Sequence, residues 1–234
     1  MTTTLLIPTL NEIIGMKEIM PRIKKEWIDQ IIILDGGSTD GTIEYAREHG
    51  YSVYVQKRLG IRNAYTEVWP MIKGDVVITF SPDGNSIPEA IPAIVEKMKE
   101  GYDMVIASRY LGEARSEDDD IMTGFGNWMF TKMLNFLYGA HYTDGIGIYR
   151  AYKAKIIYDL GLDKDEGFIF AEKLLNTHIS WEPLLSVRAV KRRLKIAEIP
   201  ASEPRRIGGI RKLQAFKWGA VILLQFIREK FVWR

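Results

Sequence analysis

Along the first half of the chain, short apolar runs alternate with amphipathic stretches. TTTLLIP (2–8), DQIIILD (29–35), YSVYVQ (51–56), DVVITFS (75–81) and DMVIAS (103–108) have the length and β-branched content of strands. Helical spacing fills the gaps, up to about Lys25, over 42–49, over 61–73 and from Pro88 to Lys99. Unbroken Ile/Val/Leu strands separated by helices indicate a Rossmann-like, mostly parallel sheet with helices on both faces, an α/β protein. After Arg109 the alternation stops. GEARSEDDD (112–120) reads as a solvated loop, 121–139 as a helix rich in Met, Phe, Trp and Leu, and 143–152 as a strand entered from a turn. A helix is expected over Phe168–Thr177 and a last strand at 195–201, followed by the basic loop PRRIGGIRK (204–212). The chain closes on an apolar, aromatic-rich helical segment. The expected organisation is one domain over 1–210 and an amphipathic extension over 211–234.

Composition narrows the classes. Hydrophobic residues at 47% and charged residues at 26% suit a globular protein with a full core. A net charge of +2 carries no global nucleic-acid signature, yet nine Lys/Arg against two Glu between Arg188 and Lys212 form a basic patch suited to an anion. Cysteine is absent, which excludes disulfides, thiolate catalysis and zinc–thiolate sites. The scattered His49, His141 and His178 have no metal-ligand spacing. Nothing resembles a signal peptide or a span, so a cytoplasmic location is expected.

Parallel sheets bind ligands beyond the carboxyl ends of their strands. Pro8, Thr9, Asn11 and Glu12 follow the first strand, Asp35 the second, Lys57 and Arg58 the third. Ser81, Asp83 and Asn85 follow the fourth and Arg109 the fifth, so polar residues converge on one rim. GGSTDG lacks the dinucleotide-binding spacing, and no P-loop occurs. The turn SPDGN suits a tight reversal by composition alone, and it also presents two oxygen ligands, Asp83 and Asn85, two residues apart.

IPTLNE, ILDGGSTDGT, SPDGN, ASRY and RRIGGIRK, in this order over roughly residues 2–213, resemble GT-A-fold glycosyltransferases of family 2. Within that family the order is most similar to the dolichol-phosphate mannose synthase and polyprenyl-phosphate glycosyltransferase branch. The resemblance implies a nucleotide-sugar donor, UDP- or GDP-linked, with Pro8, Thr9 and Glu12 bordering base and ribose, Asp35 accepting from the base, and Arg58 nearby. It implies Mg²⁺ or Mn²⁺ at Asp83 and Asn85, with Ser81 where the first carboxylate of a D-x-D would stand. A hydroxyl is the poorer ligand, which predicts weaker metal affinity or a metal held mainly by the diphosphate. Arg109 would meet phosphate, and Arg205, Arg206 and Lys212 match a loop that closes over it. Asp118-Asp119-Asp120 is a literal D-x-D, but its place in a polar loop favours a solvated role.

At the acceptor end the sequence departs from lipid-phosphate relatives. Arginines usual before Asn127 give way to Ser-Glu-Asp-Asp-Asp, and Ile146-Gly147-Ile148 replaces a hydroxyl-bearing motif, leaving Arg115 and Arg150 to compensate. A hydroxyl acceptor needs a general base, whereas a phosphate monoester, with its second pKa of about 6, is already ionised. The Asp that serves hydroxyl acceptors is replaced by Ala171-Glu172-Lys173, which favours an anionic acceptor, with Glu172 and Asp144 as fallback bases. The candidate catalytic set is Asp83, Arg109 and Glu172. Helical residues 125–138 and 213–233 suit either core and dimer packing or an interfacial pair meeting a membrane that carries a polyprenyl phosphate. Alternatives are a hydroxyl acceptor, or nucleotide-sugar binding without transfer; a nucleotidyltransferase lacks support because PTLNEIIG has no basic Gly-rich loop.

Overall fold

The computed structural model describes residues 1–208 and 215–233. Strands β1 (Thr3–Thr9), β2 (Gln30–Asp35), β3 (Ser52–Val55), β4 (Val76–Thr79), β5 (Met104–Ser108), β6 (Arg150–Lys153) and β7 (Ile196–Pro200) form one sheet in the order β3-β2-β1-β4-β6-β5-β7. Every pairing is parallel except those of β6, which lies antiparallel between β4 and β5. The helices are α1 (Ile13–Ile19), α2 (Thr42–Glu48), α3 (Ile61–Val68), α4 (Ile91–Lys99), α5 (Ile121–Tyr138), the short α6 (Ile156–Asp159), α7 (Ile169–Leu175), α8 (Glu182–Lys191) and α9 (Ala215–Phe231).

Alternation of side chains along each strand divides two cores. Leu6, Ile32, Leu34, Val77, Met104 and Ile106 face α3 and the helices from α5 onward. Leu5, Ile7, Ile33, Val76, Ile78 and Val105 face the layer of α1, α2 and α4. Both strand faces are therefore covered, which explains why these strands read as continuous apolar runs.

The second half departs from the sequence expectations. Of the expected 143–152 strand only residues 150–152 pair in the sheet, in a strand that runs on to Lys153, because residues 143–149 turn across the rim. The 61–73 helix ends at Val68 and tightens to a 3₁₀ turn at Trp69–Met71, where Pro70 cannot donate to an α-helical ladder. Helix α8 was not anticipated. Its residues from Glu182 through Ala189 are all buried, so it lacks the polar face that makes a helix legible in sequence.

Helix α9 buries Val221, Ile222 and Phe226 in the same core as α5, α7 and α8. Arg188 of α8 donates from Nε and Nη2 to Glu229 of α9 at 2.9 and 3.1 Å. Arg188, Lys191 and Arg192 also face the Trp233 ring. This corrects the basic-patch reading at its start: Arg188 is a buried structural cation and unavailable to an external anion.

Candidate active site

The sheet brings the selected strand ends to one rim. In register, Thr9 lies beside Asp35, Thr79 beside Arg150, and Ser108 beside Pro200. Because β6 runs antiparallel, the loop that precedes it reaches the same rim as the loops that follow the other strands.

At one end, the Asp35 carboxylate is fully buried and accepts four hydrogen bonds. These come from Thr9 Oγ1 at 2.7 Å, the Gly37 and Ser38 N–H groups at 2.8 and 2.6 Å, and Ser38 Oγ at 2.6 Å. Asp35 thus ties the loop after β1 to the loop after β2. Asn11 and Thr42 add to this tie, since Asn11 Oδ1 accepts from the Thr39 N–H and Thr42 Oγ1 from the Glu12 N–H. Pro8 precedes Thr9 on β1, and Glu12 is buried at the start of α1. Arg58, half-exposed after β3, donates to Glu67 and Thr66.

The centre is the turn after β4. Asn85 N–H donates to Asp83 Oδ1 at 3.1 Å, and Ser81 N–H donates to Ser86 Oγ at 3.2 Å. Gly84 has φ +94°, and a Cβ there would stand 2.6 Å from Ile207, so this turn requires glycine. Gly15 of α1 is needed for another reason: a Cβ would meet the Pro82 carbonyl at 2.4 Å. The strap after β7 closes the turn from above. Ile207 N–H donates to the Asp83 carbonyl at 2.8 Å, the Asn85 amide donates to the Pro204 carbonyl at 2.9 Å, and Arg206 Nη1 lies 2.5 Å from Asp83 Oδ2. Arg205 is exposed beside it, and Lys212 lies outside the described residues.

The acidic stretch 112–120 is exposed at Gly112, Glu113, Arg115, Glu117 and Asp120, but it is tied down at Ser116, Asp118 and Asp119. Ser116 bridges to Glu203, with main-chain bonds of 2.8 Å from Glu117 N–H and 2.9 Å to Arg115 carbonyl. Asp118 accepts from the Arg206 N–H at 3.2 Å, and Asp119 is held by the Tyr110 hydroxyl and the Asn127 amide. Asp120 caps α5, accepting from the Thr123 N–H. Ser116 and Asp118 find their partners 87 and 88 positions away, which local sequence does not show, while Asp119 and Asp120 use the nearby Tyr110, Asn127 and Thr123. Arg115 itself is exposed and joins this bridge through its main chain.

Arg109 forks onto Asp144, Nε to Oδ2 at 2.6 Å and Nη2 to Oδ1 at 2.9 Å, and reaches Glu203 at 3.4 Å. Burial raises the Asp144 carboxyl, but the charge and hydrogen bonds of Arg109 outweigh it, and the net shift is below the usual carboxylate range. Asp144 is therefore a poor base. Glu203 behaves oppositely: burial pushes its carboxyl up despite Arg109 and Ser116. The sequence reading passed over Glu203, whose only signal was a lone acid at the edge of a basic run.

Two expected residues stand back from this centre. Arg150 is fully buried and donates to the Gly147 carbonyl and to Ser186 Oγ, bracing the 144–148 loop from behind. Glu172, on α7, is buried against Arg62 at 2.9 Å and accepts the Ile179 N–H. Both side chains are spent on internal partners, because each lies under the rim and not on it.

A cavity of about 740 Å³ opens from the turn. Its polar end holds Ser81, Asp83, Asn85, Arg109, Glu203 and Arg206; its other walls are Met122, Phe125, Met129 and Phe130 of α5 with Trp218 and Ile222 of α9. No group of three or more His, Cys, Asp or Glu side chains among the described residues is gathered as a metal cage. One carboxylate, one amide oxygen and a hydroxyl suit a hard cation that takes its remaining donors from a bound diphosphate. No helix among the described residues is long and apolar enough to cross a membrane.

Comparison with known proteins bears on this site. A family model described as glycosyl transferase family 2 matches residues 4–161. Glycosyltransferase AglJ of Haloferax volcanii is 28% identical over 227 residues, covering 96% of this chain and 71% of its own length. Dolichol-phosphate mannosyltransferase of Pyrococcus furiosus is 31% identical over 142 residues; the match covers 57% of this chain and only 38% of that relative. Among solved structures, glucosyl-3-phosphoglycerate synthase from Mycobacterium tuberculosis, in complex with Mn²⁺, UDP and glucosyl-3-phosphoglycerate, superposes with a TM-score of 0.63. That likeness, at 20% identity over 98% of this chain and 79% of the other, is one of fold.

Proposed function

The chain belongs to glycosyl transferase family 2 and has a GT-A-like fold, and from that premise we propose that it moves a hexose from a UDP- or GDP-sugar to the phosphate of a polyprenyl lipid, with inversion. The observation that carries this reading is the two-ended cavity, charged at Asp83, Arg109 and Arg206 and walled by Met, Phe and Trp from α5 and α9. A phosphate on an isoprenoid chain has the same two-ended character. The names of relatives such as the dolichol-phosphate mannosyltransferase support the same acceptor class.

In this reading the loops after β1, β2 and β3 take the nucleotide, with Asp35 holding their shape. Arg206, with Arg205 and Lys212 beyond it, meets the diphosphate. Mg²⁺ or Mn²⁺ at Asp83 and Asn85, with Ser81 alongside, would neutralise charge on the departing diphosphate. Arg109 keeps Nε and Nη2 on Asp144, which leaves Nη1, 3.4 Å from Glu203, to meet a phosphate oxygen at the cavity's polar end. The acceptor phosphate is its own nucleophile, so no base is required. Exposed Phe125, Trp128, Phe136 and Phe216, with Lys132 and Lys217 nearby, suit a peripheral seat in the headgroup region of the cytoplasmic membrane face.

A hydroxyl acceptor is the second reading, favoured by Glu203, a cavity carboxylate with a raised pKa. Radiolabelled UDP-glucose, UDP-GlcNAc and GDP-mannose, offered with undecaprenyl or dolichyl phosphate in detergent, separate the two. Label extracted into the lipid phase supports the proposal. Label found only on hydroxyl acceptors, and lost in Glu203→Gln, overturns it.

A further inference from the structure

Arg206 lies between carboxylates from two segments far apart in sequence. Nη1 is 2.5 Å from Asp83 Oδ2, Nη2 is 4.0 Å from Asp118 Oδ2, and the main-chain N–H donates to Asp118 Oδ1 at 3.2 Å. The flanking strap is fixed independently of the guanidinium, by the bonds of Ile207 and Pro204 to the turn. Arg206 Nε is buried and has no acceptor among the described residues. The guanidinium thus has an anchored stem, one carboxylate in contact and one donor without an acceptor among the described residues.

A divalent cation at this turn would draw on the same Asp83 carboxylate that Arg206 contacts. Two cations on one carboxylate repel at contact distance, in a pocket where solvent screens poorly. A diphosphate removes the conflict, because its oxygens accept from the guanidinium fork while also ligating a metal.

We propose that Arg206 is the resident cation of the donor site: it competes with free metal for Asp83 and passes to the diphosphate when nucleotide arrives, while Asp118 positions its main chain. The inference rests on the donor reading above. It makes metal and nucleotide binding strongly synergistic, and it gives a role to an acidic stretch that appeared to be mere surface.

Mn²⁺ binding followed by electron paramagnetic resonance, with and without UDP or GDP, tests it. Arg206→Gln should bind Mn²⁺ alone on the order of tenfold more tightly than wild type, a factor equal to about 1.4 kcal/mol. The same variant should bind UDP or GDP with Mn²⁺ more weakly, and Arg206→Lys should restore the wild-type order. Asp118→Ala should accelerate hydrogen exchange at the Arg206 amide; unchanged exchange removes its positioning role. If wild type binds neither nucleotide with Mn²⁺, the donor reading itself falls. If it binds one and Arg206→Gln holds free Mn²⁺ no better, only the competition falls. Should Arg206→Gln not fold, the wild-type Arg206 Nε–Hε resonance decides: it shifts in the complex with Mg²⁺ and nucleotide, and an unmoved resonance in that complex overturns the proposal.

Discussion

Replacing Glu229 by Gln removes a buried carboxylate of α9 that takes the Arg188 fork from α8 and also, at 3.0 Å, Nη1 of the partly exposed Arg228. Arg188 is 4% exposed and Glu229 0%, and the fork closes at 2.9 and 3.1 Å. The other donor of Arg188, Nη1, is committed to the Leu160 and Gly161 carbonyls, so the guanidinium cannot turn toward solvent. The variant therefore leaves a buried cation whose neutral amide neighbour compensates it poorly, a change that costs about 3–5 kcal/mol. For a domain of this size, that lowers Tm by roughly 6–20 °C, at about 2–4 °C per kcal/mol. Because Trp218 and Ile222 of α9 wall the cavity, loosening should appear first as faster hydrogen exchange across 215–231, followed by weaker acceptor use. Thermal unfolding with hydrogen exchange by mass spectrometry measures both. The double variant Arg188→Met/Glu229→Leu, which replaces the pair by apolar volume, should regain most of the loss. A loss below about 1 kcal/mol for Glu229→Gln, the scale of an exposed pair, would refute the buried-pair account.

Asp83→Asn should abolish any metal-dependent rise in Tm on adding UDP or GDP, a linkage effect read by thermal shift with Mn²⁺ against EDTA. Gly84→Ala places a side chain at φ +94° and against Ile207, so it should cost about 1–3 kcal/mol and unseat the strap, seen as weaker nucleotide binding. The lowered carboxyl of Asp144 contributes stability that is fully present above the ordinary Asp value of 3.8 and is lost as pH falls through the lower folded value. Asp144→Asn should accordingly flatten the acid limb of a stability–pH curve, and an unchanged limb would remove Asp144 from the account.

Much of the first half was legible from sequence. Covered parallel strands must be apolar on both faces, so β1 to β5 announced themselves, and ligand residues in such a sheet must follow strand ends. That placed Thr9, Asp35, Asp83, Asn85 and Arg109 on one rim, where the structure also has them. Local chemistry likewise singled out the SPDGN turn, because glycine and two side-chain oxygens two residues apart are properties of a few adjacent residues.

Tertiary structure decided the partnerships of charge. A residue's formal charge is written in the sequence, but whether it meets water, a ligand or a counter-charge depends on segments brought together by folding. Arg188 joined Glu229, Glu172 joined Arg62, Arg109 took Asp144, and Asp118 met Arg206 across 88 positions. Helix α8 escaped for a related reason. Amphipathic periodicity marks a helix with one face in water, and α8 is enclosed from Glu182 to Ala189. Short-range pattern determined the sheet and its rim, while long-range Coulomb pairing and burial determined which charges remained at the site.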